Sequence, residues 1–490
     1  MTQRLPRFLL LAGIAFALTL YRIWVINHLG IDLYVDEAYY WGWSQALDWG
    51  YFSKPPLIAA LIAGSTALLG KGLIAVKLPS LLLYPLTAGM LYLLGKRLYS
   101  EEVGFWAGLG FLSMPLVSAL GLFVSTDAPL LFFWSCALWF LLKGLDQDQR
   151  GNGWGAWLAL GVVLGLGLMS KYTMAAFLPS ALLLLLIETR HRVWLGRPQP
   201  WVALVIAAAI LAPNLYWNWQ HDFPTFRHTA DITRIGQGGG RGFHPGQLGE
   251  FIGAQWASIG PVAGILLGWA LVRWRRLWLE ARHRLLLIFT VPLLLLVSFQ
   301  ALTGRANGNW AAPIFVGGML LITGAFFYDK RRWVVSAVMV NLLIATLAYH
   351  WPDAARLSGV GLSAKTDPFK RARGWTNLAD GVAPYLAEHP GSILVAEDRE
   401  LLAHLIYRLG PPEYAAWNPE GNHPIDHYQL TTTLADKQGR HVIYVARHPD
   451  ISGVSSHFTR STLLGKVVVP VHKDFQREVQ VYWLEGFKGY

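Results

Sequence analysis

Asp36 and Glu37 are adjacent carboxylates in the stretch Asp36-Glu37-Ala38-Tyr39-Tyr40-Trp41, inside a chain that is otherwise strongly apolar. Lys54 follows along the same loop, in Ser53-Lys54-Pro55-Pro56. Charge beside apolar surface is costly unless it has a partner or a task. A carboxylate in this position can take a proton from a hydroxyl. A lysine whose backbone is fixed by two prolines can hold a phosphate. Asp36 and Glu37 are therefore candidate catalytic groups, and Lys54 is a candidate phosphate ligand. That combination fits an enzyme acting on a lipid-linked substrate. Simpler readings stand beside it: Asp36 is a good N-cap for a helix starting at Glu37, and Lys54 could simply reach towards lipid headgroups.

Further polar residues recur on what the pattern makes the same side of the chain. Ser125-Thr126-Asp127-Ala128-Pro129 and Ser170-Lys171-Tyr172 each join two apolar stretches. Asp127, Lys171 and Tyr172, with Tyr39 and Tyr40 of the first loop, are candidates for substrate contact. Asp127 could instead cap a helix, and Lys171 could snorkel to the interface. The loop 218–247 carries Arg227, Arg234 and Arg241, whose charge opposes the acid loop and suits an anionic donor. Gly238-Gly239-Gly240 predicts mobility there. His221 and Asp222 are the candidates for a divalent metal ion, at a spacing that is not diagnostic. The polar tail segment from Trp417-Asn418-Pro419 to His423-Pro424-Ile425-Asp426-His427 suits either a sugar or acceptor contact or a plain surface loop.

These residues need a scaffold, and composition names its class. The chain has 490 residues, 54% hydrophobic and only 14% charged, with a mean hydropathy of +0.36. Soluble domains carry about a quarter charged residues, so a polytopic membrane protein is expected. The formal charge of +11 falls mostly in alternate loops, which points to membrane topology rather than to nucleic acid. Cys136 is the single cysteine and lies in an apolar stretch, which excludes an intramolecular disulfide and a cysteine metal cluster. Arg4 and Arg7 precede an apolar run from Phe8 to Val25, read as an uncleaved first span although Ala15-Phe16-Ala17 resembles a cleavage site.

Segments near 8–26, 78–95, 103–123, 128–142, 154–170, 172–188, 201–217, 248–272, 284–302, 310–328 and 333–349 make about eleven candidate spans. The more basic set of loops holds Arg4, Arg7, Lys96, Arg97, Lys143, Arg150, Arg190, Arg192, Arg197, Arg273, Arg275, Arg276, Arg282, Arg284 and Lys330 to Arg332. This set is expected on the cytoplasmic side. The N-terminus is then cytoplasmic, and an odd span count puts the C-terminus outside. A membrane domain is expected over 1–349, with a first periplasmic loop over 27–77. Within that loop, 56–69 is apolar but too short to span, and suits an interfacial helix. Aromatic residues from Tyr39 to Phe52 suit the membrane interface. From 350 to 490 charge returns, and a small periplasmic α/β domain is expected. Its strands fall near Ser392–Ala396, His441–Ala446, Lys466–Val471 and Val479–Leu484, with an amphipathic helix over Asp398–Leu409.

Taken together, Asp36-Glu37-Ala38-Tyr39-Tyr40, Phe52-Ser53-Lys54-Pro55-Pro56-Leu57, Lys77-Leu78-Pro79-Ser80, Ser125-Thr126-Asp127-Ala128-Pro129 and Ser170-Lys171-Tyr172 resemble the membrane-embedded glycosyltransferases of the GT-C fold. The chain is similar to their bacterial branch, with the lipid A aminoarabinose transferases and the wider protein O-mannosyltransferase superfamily. The resemblance covers roughly residues 1–350. It implies a polyprenyl-phosphate (undecaprenyl-phosphate) sugar donor, Asp36 as catalytic carboxylate and Lys54 as ligand of the donor phosphate. The acceptor would be a lipid, polysaccharide or protein at the periplasmic face of a bacterial inner membrane. Two positions depart from the aminoarabinose branch. That branch has an acidic residue before the lysine, which helps bind metal, where this chain has Ser53. It has an arginine after Asp-Glu-Ala, where this chain has Tyr39. A divalent metal and aminoarabinose specificity are therefore not carried over. Two rival readings are a lipid-linked glycan ligase or polymerase, and a non-enzymatic transporter or flippase. The latter predicts charges at a midplane cavity and paired repeats, whereas here charges gather at helix ends.

Overall fold

A computed structural model describes residues 6–146, 154–233, 242–421 and 423–490. Arg4, Arg150, Arg234, Arg241 and Gly238-Gly239-Gly240 lie outside the described residues. The chain forms two compact units. One comprises Met1–Trp24, Lys54–Leu61 and Lys77–Leu347; the other comprises Val25–Ser53, Ile62–Val76 and Ala348–Tyr490.

Among the described residues, six helices are long and apolar enough to cross a membrane. They are Arg7–Leu29, Leu73–Leu98, Asp127–Asp146, Pro198–Gln220, Ala281–Thr303 and Ile314–Tyr349. Two bent pairs, each folded by 116°, raise the number to as many as eight. The breaks have local causes. Between Pro245–Ile259 and Pro261–Val272 sits Gly260, at φ 96°, followed by Pro261, which cannot donate to a continuing helix. The stretch expected to span over 103–123 is interrupted in the same way. Its helix ends at Ser113, because Met114 precedes Pro115 and takes an extended ψ of 136°. The 36-residue helix Ile314–Tyr349 loses helical geometry at Lys330, where φ is −133°. Lys330 opens the basic run Lys330-Arg331-Arg332, which separates two apolar halves.

Among the described residues the first unit is built of helices, and it packs closely through small residues. A Cβ on Gly95 would stand 2.6 Å from Gly104 Cα, so the helices Leu73–Leu98 and Glu101–Ser113 touch backbone to backbone. Van der Waals packing of this kind holds helices together where lipid removes the hydrophobic drive. Large buried rings fill the rest: Trp134, Phe177 and Phe289 meet edge-on or tilted at 4.9–6.4 Å between centroids.

The second unit contains a five-stranded mixed sheet in the order β2-β1-β3-β5-β4. Its strands are β1 Ile393–Ala396, β2 Tyr414–Ala416, β3 Val442–Ala446, β4 Phe458–His472 and β5 Phe475–Phe487. β1 pairs in parallel with β2 and β3, and the β4–β5 hairpin adds antiparallel strands beside β3. β1 and β3 are buried along their whole length, as central strands covered on both faces must be. The helix Arg399–Leu409 links β1 to β2. Asp398 caps it by accepting from Leu401 N–H at 2.9 Å, and Gly410 ends it at φ 56°. β2 was not anticipated; it is three residues long and follows Pro411-Pro412. β4 begins eight residues before Lys466; the consecutive residues Thr459, Arg460 and Ser461 are all exposed there, so its N-terminal part shows no apolar alternation.

Candidate active site

The acid pair sits on the helix Val35–Ser44, in the second unit. Asp36 was a candidate N-cap, but the cap position belongs to Tyr34. It is Glu37 that reaches back, its Oε2 accepting the Tyr34 backbone N–H at 2.7 Å. Glu37 is 1% exposed, and its carboxylate lies where the helix N-terminus favours negative charge. The two neighbouring acids therefore differ in environment. Glu37 is bound into the start of the helix, while the Asp36 side chain stays 45% exposed.

Asp36 faces a cation from the same unit. Arg399 Nη2 lies 3.5 Å from Asp36 Oδ1, and the Arg399 guanidinium covers the Tyr39 ring at 4.9 Å. Burial works against the Arg399 charge, yet Asp36, Tyr39 and Tyr40 outweigh it and hold the side chain more firmly protonated than usual. Tyr39 and Tyr40 were candidates for substrate contact. Both are buried. The Tyr39 hydroxyl accepts the His427 backbone N–H, and its ring meets Trp43 at 4.7 Å and Tyr428 at 5.2 Å. Burial, then the charge of Asp426, pushes the Tyr39 phenol far above its ordinary value, so it stays a neutral hydroxyl. These rings brace the helix that presents Asp36. The tail segment also turns out to be structural in part. Asp426 caps the short helix His427–Thr431, and Trp417 packs against Phe458 and Tyr490.

A cleft of about 390 Å³ opens elsewhere in this unit, lined by Asp32, Lys71, Trp375, His404, Tyr407 and Arg408 among others. Asp32 there accepts the Trp375 N–H at 2.7 Å and binds the Thr376 hydroxyl, closing the N-terminus of the helix Trp375–Glu388.

The first unit holds a second polar cluster, built from three of the sequence motifs. Lys171 Nζ lies 2.7 Å from Asp127 Oδ1, with both side chains buried. Asn309 Nδ2 donates to Asp127 Oδ2 at 2.7 Å. Asp127 thus serves as a bridge between segments, and Lys171, a candidate for snorkelling, is instead turned inward. Ser125 N–H donates to Ser80 Oγ at 3.3 Å, joining the Lys77–Ser80 motif to the same place. Lys77 itself is fully buried, with Nζ 4.7 Å from the Phe123 ring centroid. Tyr172 donates to Asn214 Oδ1 at 2.5 Å and stacks on Phe226 at 5.1 Å. Lys54 belongs to this unit and is half-buried just before the helix Leu57–Leu69.

Other expectations are less supported by position. Arg227 is exposed on the helix Pro224–Thr233, which occupies part of the segment read as a loop. His221 Nδ1 bonds the Trp217 carbonyl at 2.8 Å and its ring stacks on Trp217, while Asp222 takes a positive φ of 60°. They do not join any metal-capable group among the described residues. Three polar residues have partners that the sequence does not announce: Arg22, which is buried, and Asn309 and Arg399, which are part-buried. Asn309 and Arg399 carry no local signal. Arg22 did: an arginine within the apolar run 8–25 is a functional or structural flag in itself. It is 2% exposed and donates to the Leu112 carbonyl at 3.2 Å.

Residues 53–217 match the family described as dolichyl-phosphate-mannose-protein mannosyltransferase. Over 417 residues the chain is 32% identical to a lipid A galacturonosyltransferase of Rhizobium johnstonii, a match spanning 84% of each chain. The chain belongs to this family of glycosyltransferases. It is also 24% identical, over 320 residues, to an undecaprenyl phosphate-alpha-4-amino-4-deoxy-L-arabinose arabinosyl transferase of Pseudomonas fluorescens, covering 61% of this chain and 54% of that one. The crystal structure of ArnT from Cupriavidus metallidurans bound to undecaprenyl phosphate aligns with a TM-score of 0.64 at 15% identity, over 96% of this chain and 97% of that one. That likeness establishes the GT-C fold. This glycosyltransferase is thus a multi-pass membrane enzyme, as its composition required.

Proposed function

We propose that this enzyme transfers a sugar from a polyprenyl phosphate to a hydroxyl of a lipid acceptor of the lipid A class, with inversion at the anomeric carbon. The observation that carries the assignment of the base is the division of labour between the two acids: Glu37 is occupied at the helix start, and Asp36 remains accessible beside Arg399. In this reading Asp36 takes the acceptor proton. The acceptor oxygen forms a bond to the anomeric carbon as the bond to the phosphate oxygen breaks. The electron pair leaves with polyprenyl phosphate, whose charge Lys54 receives. Phosphate is a good leaving group, so no strong general acid is needed. A positioned base typically contributes about 10²–10⁴-fold, and fixed cations on the departing phosphate add to that.

The sugar in this reading is a uronic acid. The galacturonosyltransferase relative supports it through the extent of its match. Tyr39 and Ser53, where the aminoarabinose branch has Arg and an acid, also favour a different sugar. The eleven-span topology, with residues 350–490 and the Asp36 helix on the periplasmic side, completes the reading. Its support is the alternation of loop charge and the charged break at Lys330 in the longest helix.

The test is transfer by the purified protein from a panel of undecaprenyl-phosphate sugars to lipid A, followed by product mass. Addition of one uronosyl residue supports the assignment. Addition of aminoarabinose alone overturns the sugar, and transfer of a whole glycan overturns the reaction class. Reporter fusions after Lys143 and after Tyr349 should report opposite compartments, and the same compartment for both sinks the topology.

A further inference from the structure

His28, His350 and Asp353 lie in one compact unit and meet around a single carboxylate. His28 is in the last turn of the helix Arg7–Leu29. His350 stands at the N-cap of the helix Trp351–Leu357, and Asp353 is in its first turn. Asp353 Oδ2 is 2.7 Å from His28 Nε2 and 3.4 Å from His350 Nδ1. The two imidazoles approach from different directions, with ring centroids 6.3 Å apart and planes inclined by 51°. One ligand atom from each of the three lies within 4.8 Å of the others, and no other three His, Cys, Asp or Glu side chains do so among the described residues.

The two separations to Asp353 come close to the edge of a zinc tetrahedron. Ligands at about 2.0–2.2 Å from the ion stand roughly 3.3–3.6 Å from one another. The Asp353–His350 separation already has that value. The Asp353–His28 separation of 2.7 Å has to open by roughly 0.6–0.9 Å, within the reach of a side-chain rotation. We propose that His28 Nε2, His350 Nδ1 and an Asp353 carboxylate oxygen bind one zinc ion, with water as the fourth ligand. Two imidazoles and one carboxylate favour a borderline transition metal over magnesium or calcium, which prefer oxygen. All three side chains are partly exposed, which gives the ion an entry path and leaves room for the water. The site joins residues 325 apart in sequence. Closing so long a loop removes entropy from the unfolded chain, so the ion acts on stability rather than on the transfer chemistry. This role is independent of the Asp36 machinery.

The full-length protein in detergent, stripped with chelator, is titrated with zinc chloride and separately with magnesium chloride. The expected result is one zinc ion per chain, a rise in Tm with zinc and none with magnesium. His28→Ala and His350→Ala should each weaken zinc binding at least about tenfold, since losing even an outer-shell partner costs that much. His350→Gln is the milder companion should the alanine variants fold poorly. On wild-type protein, cobalt should give the visible d–d bands of a four-coordinate site. Zinc uptake below one equivalent, or equal affinity in the histidine variants, overturns the site and leaves His28–Asp353 as a simple hydrogen-bonded pair.

Discussion

Arg399 Nη2 stands 3.5 Å from Asp36 Oδ1 while its guanidinium lies over Tyr39. The carboxylate read as the base is therefore oriented by a residue more than three hundred positions away in sequence. Asp36→Asn preserves the shape and leaves the helix start to Glu37, which makes the cap. Transfer should fall by about 10²–10⁴-fold, with donor binding retained. Glu37→Ala should lower thermal stability, because it removes the oxygen that accepts the Tyr34 N–H. Both variants are compared by turnover and donor affinity on the same folded samples. Wild-type turnover in Asp36→Asn would remove Asp36 from the chemistry.

Arg399 is a positioning residue in this scheme. Arg399→Ala should lower kcat by about tenfold, the scale of losing one charge-assisted contact, with little change in donor KM. Arg399→Lys should restore part of it, since a lysine keeps the charge without the planar fork. Lys54→Ala should do the converse, raising donor KM more than it lowers kcat. Equal effects of both substitutions on KM would mean that Arg399 holds donor rather than Asp36.

Why was Arg399 invisible in the sequence, when Asp36 and Lys54 were not? Asp36 and Lys54 stand out because charge is rare in an apolar stretch, and prolines mark the lysine. Arg399 sits on an ordinary amphipathic helix, and only tertiary packing brings it to Asp36. The strands β1 and β3 were legible because buried branched runs have few alternatives. β2 was not, at three residues. The Asp127–Lys171 pair illustrates the middle case. Both residues were singled out, yet their partnership needs two helix ends to meet. The start of the Asp36 helix is hidden for a local reason: Tyr34 is not a usual N-cap, and the acid two residues further on has the better capping side chain.

The stability of the second unit should depend on pH through His404. This imidazole is buried and stacks on Trp375 at 3.9 Å between centroids. Burial, with Arg477 and Arg447 adding to it, holds His404 well below the ordinary histidine range. The folded protein thus keeps it neutral, while the unfolded chain takes up a proton below about pH 6.5. Stability is complete above that pH and is lost as the pH falls below it, by up to about 1.4 kcal/mol per unit from this group. Carboxylates such as Glu397 act only at lower pH, near the ordinary glutamate range. Melting curves from about pH 7.5 to about 5.5 should show Tm falling in the wild type and a flatter profile in His404→Phe. Parallel profiles would show that His404 is protonated in the folded state.

The Asp127–Lys171 pair tests whether the buried cluster of the first unit is structural or reserved for substrate. Asp127 is 2% exposed and receives both Lys171 and Asn309. Removing one partner leaves a buried ion uncompensated, at a cost of about 3–5 kcal/mol, whereas removing both charges together is often nearly neutral. Lys171→Met alone should therefore destabilise the protein strongly. The double variant Asp127→Asn, Lys171→Met should recover most of the lost stability. Activity then separates the two roles. A double variant that melts near the wild type and still transfers sugar assigns the pair to holding the motif segments together. A double variant that is stable but inactive assigns at least one of the two charges to the donor or acceptor, because the fold has been shown not to need them. Failure of the double variant to recover stability would mean that the two ions do not compensate each other.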